Sequence, residues 1–164
     1  MMHHDCAVFA EYSDSDKPMT AGANTRVFNR VEVESAGAIR LDLETGTVSL
    51  APGMYHITAS SIVTPYDPVT DADGRVSPQA RPYGGYCRLR YLDKPAREDP
   101  PIALGTISNA NMIPSLVDTF LRADHPVEIV LEHQCGEHVE GLYLQVAVTG
   151  SADHVFARIA IQRL

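Results

Sequence analysis

The chain has no tryptophan, only two lysines (Lys17 and Lys94), and three cysteines far apart in sequence. Each scarcity excludes something. Cys6, Cys87 and Cys135 make no CxxC pair, which excludes a zinc ribbon and a thioredoxin-like redox motif. Three reduced thiols packed as small hydrophobes are expected, with a Cys87–Cys135 bridge kept open as the alternative. No apolar run approaches the roughly 18 residues of a membrane span, so no membrane insertion is expected. Met1-Met2-His3-His4-Asp5 lacks the basic and apolar regions of a secretory signal, so the expected location is cytoplasmic by default. Basic clusters are missing too. With a net charge of −8 and a pI near 5.2, nucleic acid is not expected as a partner, because neutralising phosphates needs grouped Lys or Arg.

Helical periodicity is the next absence. Apolar residues recur at a spacing of two almost everywhere and at 3.6 almost nowhere. Alternation predicts strands over residues 6–12, 26–33, 38–43, 47–50, 55–64, 86–92, 102–107, 115–122, 127–133, 142–149 and 155–164. Ala51-Pro52-Gly53, Gly84-Gly85, Pro100-Pro101 and Gly150-Ser151 supply turn chemistry between them. Short strands at this spacing predict an all-β sandwich or jelly roll. The 164 residues suit one domain, 1–164, with residues 1–24 as first strand and irregular lead-in and 65–84 as a long loop. A second irregular stretch spans residues 93–101.

Several constellations could carry chemistry. His133-Gln134-Cys135-Gly136-Glu137-His138 crowds metal-ligating types into six residues, and Pro52-Gly53-Met54-Tyr55-His56 falls one residue short of a cupin motif. A cupin-like metal-dependent enzyme using His56, His133 and His138 is therefore the alternative reading. Against it, the His-x-His element is absent and the order of the two motifs is reversed. The favoured reading places His133 at a strand end, on the inner face and satisfied by a backbone partner. Asp71-Ala72-Asp73-Gly74 does not complete an EF-hand, because Val69 and Ala80 stand where carboxylates are needed. A loose surface calcium site is the most that loop suggests; otherwise no cofactor is expected. No Gly-x-Ser-x-Gly or phosphate-cradling glycine loop occurs. Glu32/Glu34 and Glu128/Glu132 read as the polar faces of strands. Nothing in the sequence demands an enzyme.

Two predicted strands carry a second uncharged face. Over residues 55–64 it is His56, Thr58, Ser60, Ile62 and Thr64; near the C-terminus it is Phe156, Ala160 and Leu164. A strand uncharged on both faces is normally covered on both sides, and with no helix predicted the natural cover is another subunit. The excess of eleven Arg over two Lys is also patterned. Arg30, Arg40, Arg88, Arg90, Arg122 and Arg158 fall on predicted strands, where guanidinium forks can bind carboxylates across strands or subunits.

Thr45-Gly46-Thr47-Val48-Ser49-Leu50-Ala51-Pro52-Gly53-Met54-Tyr55-His56-Ile57 resembles the strand–Pro-Gly-x-Tyr–strand signature of complement globular heads and their tumour-necrosis-factor-like relatives. Cys87-Arg88-Leu89-Arg90-Tyr91-Leu92, Leu104-Gly105-Thr106 and the strand ending His133-Gln134-Cys135 resemble a bacterial and phage branch of that superfamily. The resemblance covers about residues 25–164. It implies a ten-stranded TNF-like jelly roll that assembles as a homotrimer, acts as a non-enzymatic recognition head, and in that branch belongs to a phage-like particle. It places Tyr55, His56, Thr58, Ser60, Ile62, Phe156 and Ala160 at the subunit contact. An unknown protein or carbohydrate ligand would then meet the long loop, through Asp67, Asp71, Asp73, Arg75 and Tyr83.

Overall fold

The computed structural model describes residues 5–65, 68–70, 76–78, 84–94, 100–108, 113–137, 139, 141–147 and 154–164. All regular structure among them is β. In chain order the strands are β1 (Cys6–Ser13), β2 (Lys17–Pro18), β3 (Gly22–Thr25), β4 (Arg30–Val33), β5 (Ile39–Leu41) and β6 (Val48–Leu50). There follow β7 (Gly53–Ser61), β8 (Thr64–Pro65), β9 (Pro68–Thr70), β10 (Val76–Pro78) and β11 (Tyr86–Tyr91). The last five are β12 (Ala103–Ile107), β13 (Ser115–Ala123), β14 (Val127–Cys135), β15 (Leu142–Gln145) and β16 (His154–Arg163).

Two antiparallel sheets make the sandwich. One runs β13-β7-β16-β1-β4, and the other runs β12-β11-β14-β6-β5 with β3 also on β14. Alternation places Phe9, Tyr55, Ile57, Val117, Leu121, Ile159 and Ile161 of the first sheet against Ile39, Leu50, Leu89, Ile129 and Leu131 of the second. This is the packing of two half-apolar sheets. A small sheet, β2-β15-β8, closes one end over Met19, Val63, Cys135, Leu142 and Leu144. All three cysteines are free thiols; Cys87 and Cys135 are buried, but Cys6, at the start of β1, is exposed and not packed as expected.

The structure departs from the sequence reading at three places. The predicted strand over residues 26–33 is divided, because the chain changes sheets there. Arg26 N–H still donates to Leu131 of β14 at 2.8 Å, whereas Asn29 N–H already donates to Ala10 of β1 at 3.0 Å. The predicted strand over residues 142–149 ends at Gln145. In β16, Ala157 pairs with Glu11 and Val155 with Tyr12, which leaves Phe156 as an extra, unpaired residue. This β-bulge breaks the alternation. Phe156 and Ala157 are consequently both buried.

Two glycines are required by close approaches. A Cβ on Gly85 (φ 79°) would lie 2.0 Å from the Gln134 carbonyl oxygen. At Gly46 (φ 74°) it would lie 2.4 Å from the carbonyl oxygen of Arg26. Both have the left-handed backbone that glycine alone adopts without strain.

Candidate functional site

The outer face of the first sheet is built from cross-strand rows. Asp118, Thr58 and Ala160 form one row, Leu116, Ser60 and Arg158 a second, and Phe120, His56 and Gln162 a third. Because Thr58, Ser60 and Ala160 are small, their rows sink into a shallow hollow of about 300 Å³, flanked by Leu116, Asp118 and Arg158. On its rim His56 Nε2 lies 2.7 Å from Asp118 Oδ1. The Phe120 ring stacks on the imidazole with centroids 4.9 Å apart.

Beside this hollow the sandwich ends in an apolar edge. Among the described residues, β12 and β13 are the terminal strands of their sheets. They are tied by Leu116 N–H donating to Thr106 Oγ1 at 3.0 Å and by Ser108 Oγ donating to the Ile113 carbonyl at 2.8 Å. Along it Leu104 is 61% exposed, Ile107 65%, Ile113 50%, Leu116 52% and Phe120 65%. All five of these large apolar side chains are at least half exposed.

The buried interior holds a polar network. Arg26, fully buried, donates through Nε to Ser61 Oγ at 2.8 Å and through one terminal nitrogen to the Leu144 carbonyl at 2.8 Å. That nitrogen also meets Glu11 Oε1 at 3.3 Å, and the other terminal nitrogen donates to the Ile62 carbonyl. Glu11 in turn accepts from Val27 N–H at 3.1 Å and from the Gln145 side-chain amide. Burial lowers the Arg26 pKa, and the Glu11 charge opposes that shift. His133 Nε2 is 2.6 Å from the Gly84 carbonyl, which can only accept, so Nε2 carries the proton. Nδ1 then accepts from Ser61 Oγ at 2.7 Å. Burial first, and the Arg26 charge second, push the His133 pKa down to about 4. This Ser–His pair lies wholly inside the protein, so it serves the fold and has no access to a substrate.

The structure divides the sequence-predicted site residues. His56, Thr58, Ser60 and Ala160 do share the outer face. Tyr55 does not: it is fully buried on the core side, donating its hydroxyl to the Ala51 carbonyl at 2.6 Å. Phe156 is turned inward by the bulge, and half-buried Ile62 follows the end of β7, its N–H bonded to the Phe156 carbonyl. Neither Tyr55 nor Phe156 can therefore face a neighbouring subunit. The metal alternative is not assembled either. His133 has both ring nitrogens engaged between the sheets, whereas His56 sits on the outer face. Among the described residues no three His, Cys, Asp or Glu side chains gather around one point. His138 and the loop residues Asp67, Asp71, Asp73, Arg75 and Tyr83 lie outside the described residues. The apolar residues of β12 and β13 were missed by sequence reasoning, although Leu116 and Phe120 fall on the polar phase of their strand.

No family model and no curated protein sequence matches the chain. Solved structures do. The crystal structure of murine APRIL at pH 8.0 is similar over 99% of this chain and 100% of that chain, with a TM-score of 0.57 at 7% sequence identity. At that identity the likeness concerns the fold alone, and the fold is the TNF-like jelly roll.

Proposed function

We propose that the chain is a non-enzymatic recognition and assembly module that works as a homotrimer. The observation that carries this reading is the apolar β12–β13 edge beside a hollow floored by Thr58, Ser60 and Ala160. An edge of large apolar side chains on one copy fits a depression of small side chains on the next. Such a head-to-tail contact closes into a ring when its rotation closes. The TNF-like fold supports the choice of three copies.

Light scattering on the purified chain tests the assembly. A mass three times 17.9 kDa at micromolar concentration is expected, and a clean monomer overturns it. Leu116→Asp and Phe120→Asp are expected to dissociate the assembly while leaving the fold intact, because both side chains are exposed in the single subunit. In the assembly each substitution buries an unpaired charge.

The ligand is a protein or a glycan, met by the loop that carries Asp67, Asp71, Asp73, Arg75 and Tyr83. Alanine at those five positions should abolish binding on a glycan or cell-surface protein array; unchanged binding removes the loop assignment. The setting we propose is bacterial or phage, and genes for a tail fibre or secretion apparatus beside the coding sequence would be its signature. The reading assigns no cofactor to the chain.

A further inference from the structure

The opposite edge of the sandwich carries a different feature. β4 ends the first sheet and β5 ends the second. Between them, under residues 34–37, lies a slot of about 550 Å³, within the range of small-ligand sites. Phe9 and Ile39, both buried core residues, form its floor. Val31 from β4, with Leu41 and Leu43 from β5 and the turn after it, supplies apolar walls. Val31 is 46% exposed and Leu43 54%, so these walls stand open.

Both walls are strand edges. In the β5–β6 pair, Ala51 N–H donates to the Ala38 carbonyl at 2.9 Å and Asp42 N–H donates to the Thr47 carbonyl at 2.8 Å. Antiparallel pairing alternates, so Arg40 also turns its main chain to β6, while Ile39 and Leu41 turn theirs to the free edge. Glu34 and Arg40, exposed residues of opposite charge, line the slot, and neither has a partner among the described residues. A free strand edge, apolar walls and two exposed charges of opposite sign, unpaired among the described residues, together suit one kind of ligand. It must offer main-chain donors and acceptors, alternate apolar side chains, and mixed charge.

We propose that the β4–β5 slot binds an extended peptide segment of mixed charge, which adds as a strand to the free edge of β5. Its apolar side chains enter between Val31 and Leu43, a lysine faces Glu34 and an acid faces Arg40. This is β-strand addition, in which main-chain bonds supply affinity and side-chain pockets supply selectivity. It does not depend on the trimer, because β4 and β5 lie at the far ends of their sheets from β13 and β12.

The probe is an end-blocked pentapeptide, Lys-Val-Ser-Leu-Asp, with its binding followed by chemical-shift changes in the labelled full chain. Two further versions carry N-methyl groups on one or the other set of alternate amides. Saturable binding is expected, with resonances of residues 31–43 moving, and one methylated version should bind at least tenfold more weakly than the other. Arg40→Glu leaves two acids at the slot and should create a preference for an all-lysine version of the peptide over an all-acidic one. Leu43→Glu should weaken every version at least tenfold with the thermal midpoint unchanged. Absence of binding overturns the proposal. So does equal binding of the two methylated peptides, or displacement by octanoate at matched concentration, since either outcome means that the slot takes apolar matter without pairing a strand. Light scattering on the same samples reports the assembly separately.

Discussion

At the scale of single residues, the interior charge and the imidazole beside it make stability depend on pH in a definite direction. Folding lowers the His133 pKa from 6.5 to about 4, so between those values the unfolded chain binds the proton that the folded chain refuses. Stability from this group is complete above pH 6.5 and declines as pH falls toward 4. About 1.4 kcal/mol is lost per unit, roughly 3 kcal/mol in all. Urea unfolding at pH 7 and pH 4.5 should show this loss, and His133→Gln should flatten the decline. Glu11 is the other sensitive position. Glu11→Ala leaves the Arg26 guanidinium buried without its counter-charge, a change that costs about 3–5 kcal/mol. A midpoint shift under 1 kcal/mol would mean that the carbonyls of Leu144 and Ile62 hold Arg26 without help.

Other arginines bear out the carboxylate pairing read from their strand positions. Arg158 grips Glu32 with two bonds of 2.9 Å, and Arg88 and Arg90 share the buried Glu132 at 2.9 and 2.6 Å. Arg30 instead lies over the Tyr12 ring at 4.1 Å, and Arg122 pairs with its near neighbour Asp124.

Among the elements, β16 shows how one inserted residue redirects a face. A uniform period of two would send Phe156 outward with Ala160; the bulge opposite Glu11 and Tyr12 sends it inward. Phe156→Asp is therefore expected to unfold the chain and not merely dissociate it, which circular dichroism distinguishes from the behaviour of Phe120→Asp. The turn into β11 is equally constrained. Gly85→Ala places a methyl against the Gln134 carbonyl in a left-handed conformation and should destabilise the chain by more than the roughly 1 kcal/mol of an ordinary glycine replacement.

For the whole molecule, the −8 charge of the chain becomes about −24 in a trimer, and like charges then oppose assembly at low salt. An apolar contact through β12–β13, as proposed, would be insensitive to salt by comparison. Raising the salt from about 20 to about 200 mM should tighten the proposed assembly, because the screening length shortens from roughly 20 Å to about 7 Å. Sedimentation at the two salt concentrations measures it. Dissociation on adding salt would point to ion pairs across the interface instead of apolar burial. The two edges of the sandwich thus have separate chemistries: exposed apolar side chains on β12–β13, and a slot with a free strand edge and mixed charge on β4–β5.

The sequence by itself determined the strands and which residues of most of them face the core, because a period of two is a local property of an extended chain. It also determined the outward placement of His56, Thr58 and Ser60 and the inward placement of His133. Only the tertiary structure decided what lies beyond each strand's own pleat. It placed Arg26 opposite Glu11 across 15 residues and His133 beside Ser61 across 72, as a strand pattern cannot specify. It introduced the bulge that buries Phe156. It also made β4, β5, β12 and β13 the terminal strands, because being an edge is a relation among strands. The apolar side chains of Leu116 and Phe120 were visible in the sequence, but their meaning depended on finding no further strand beyond β13 among the described residues.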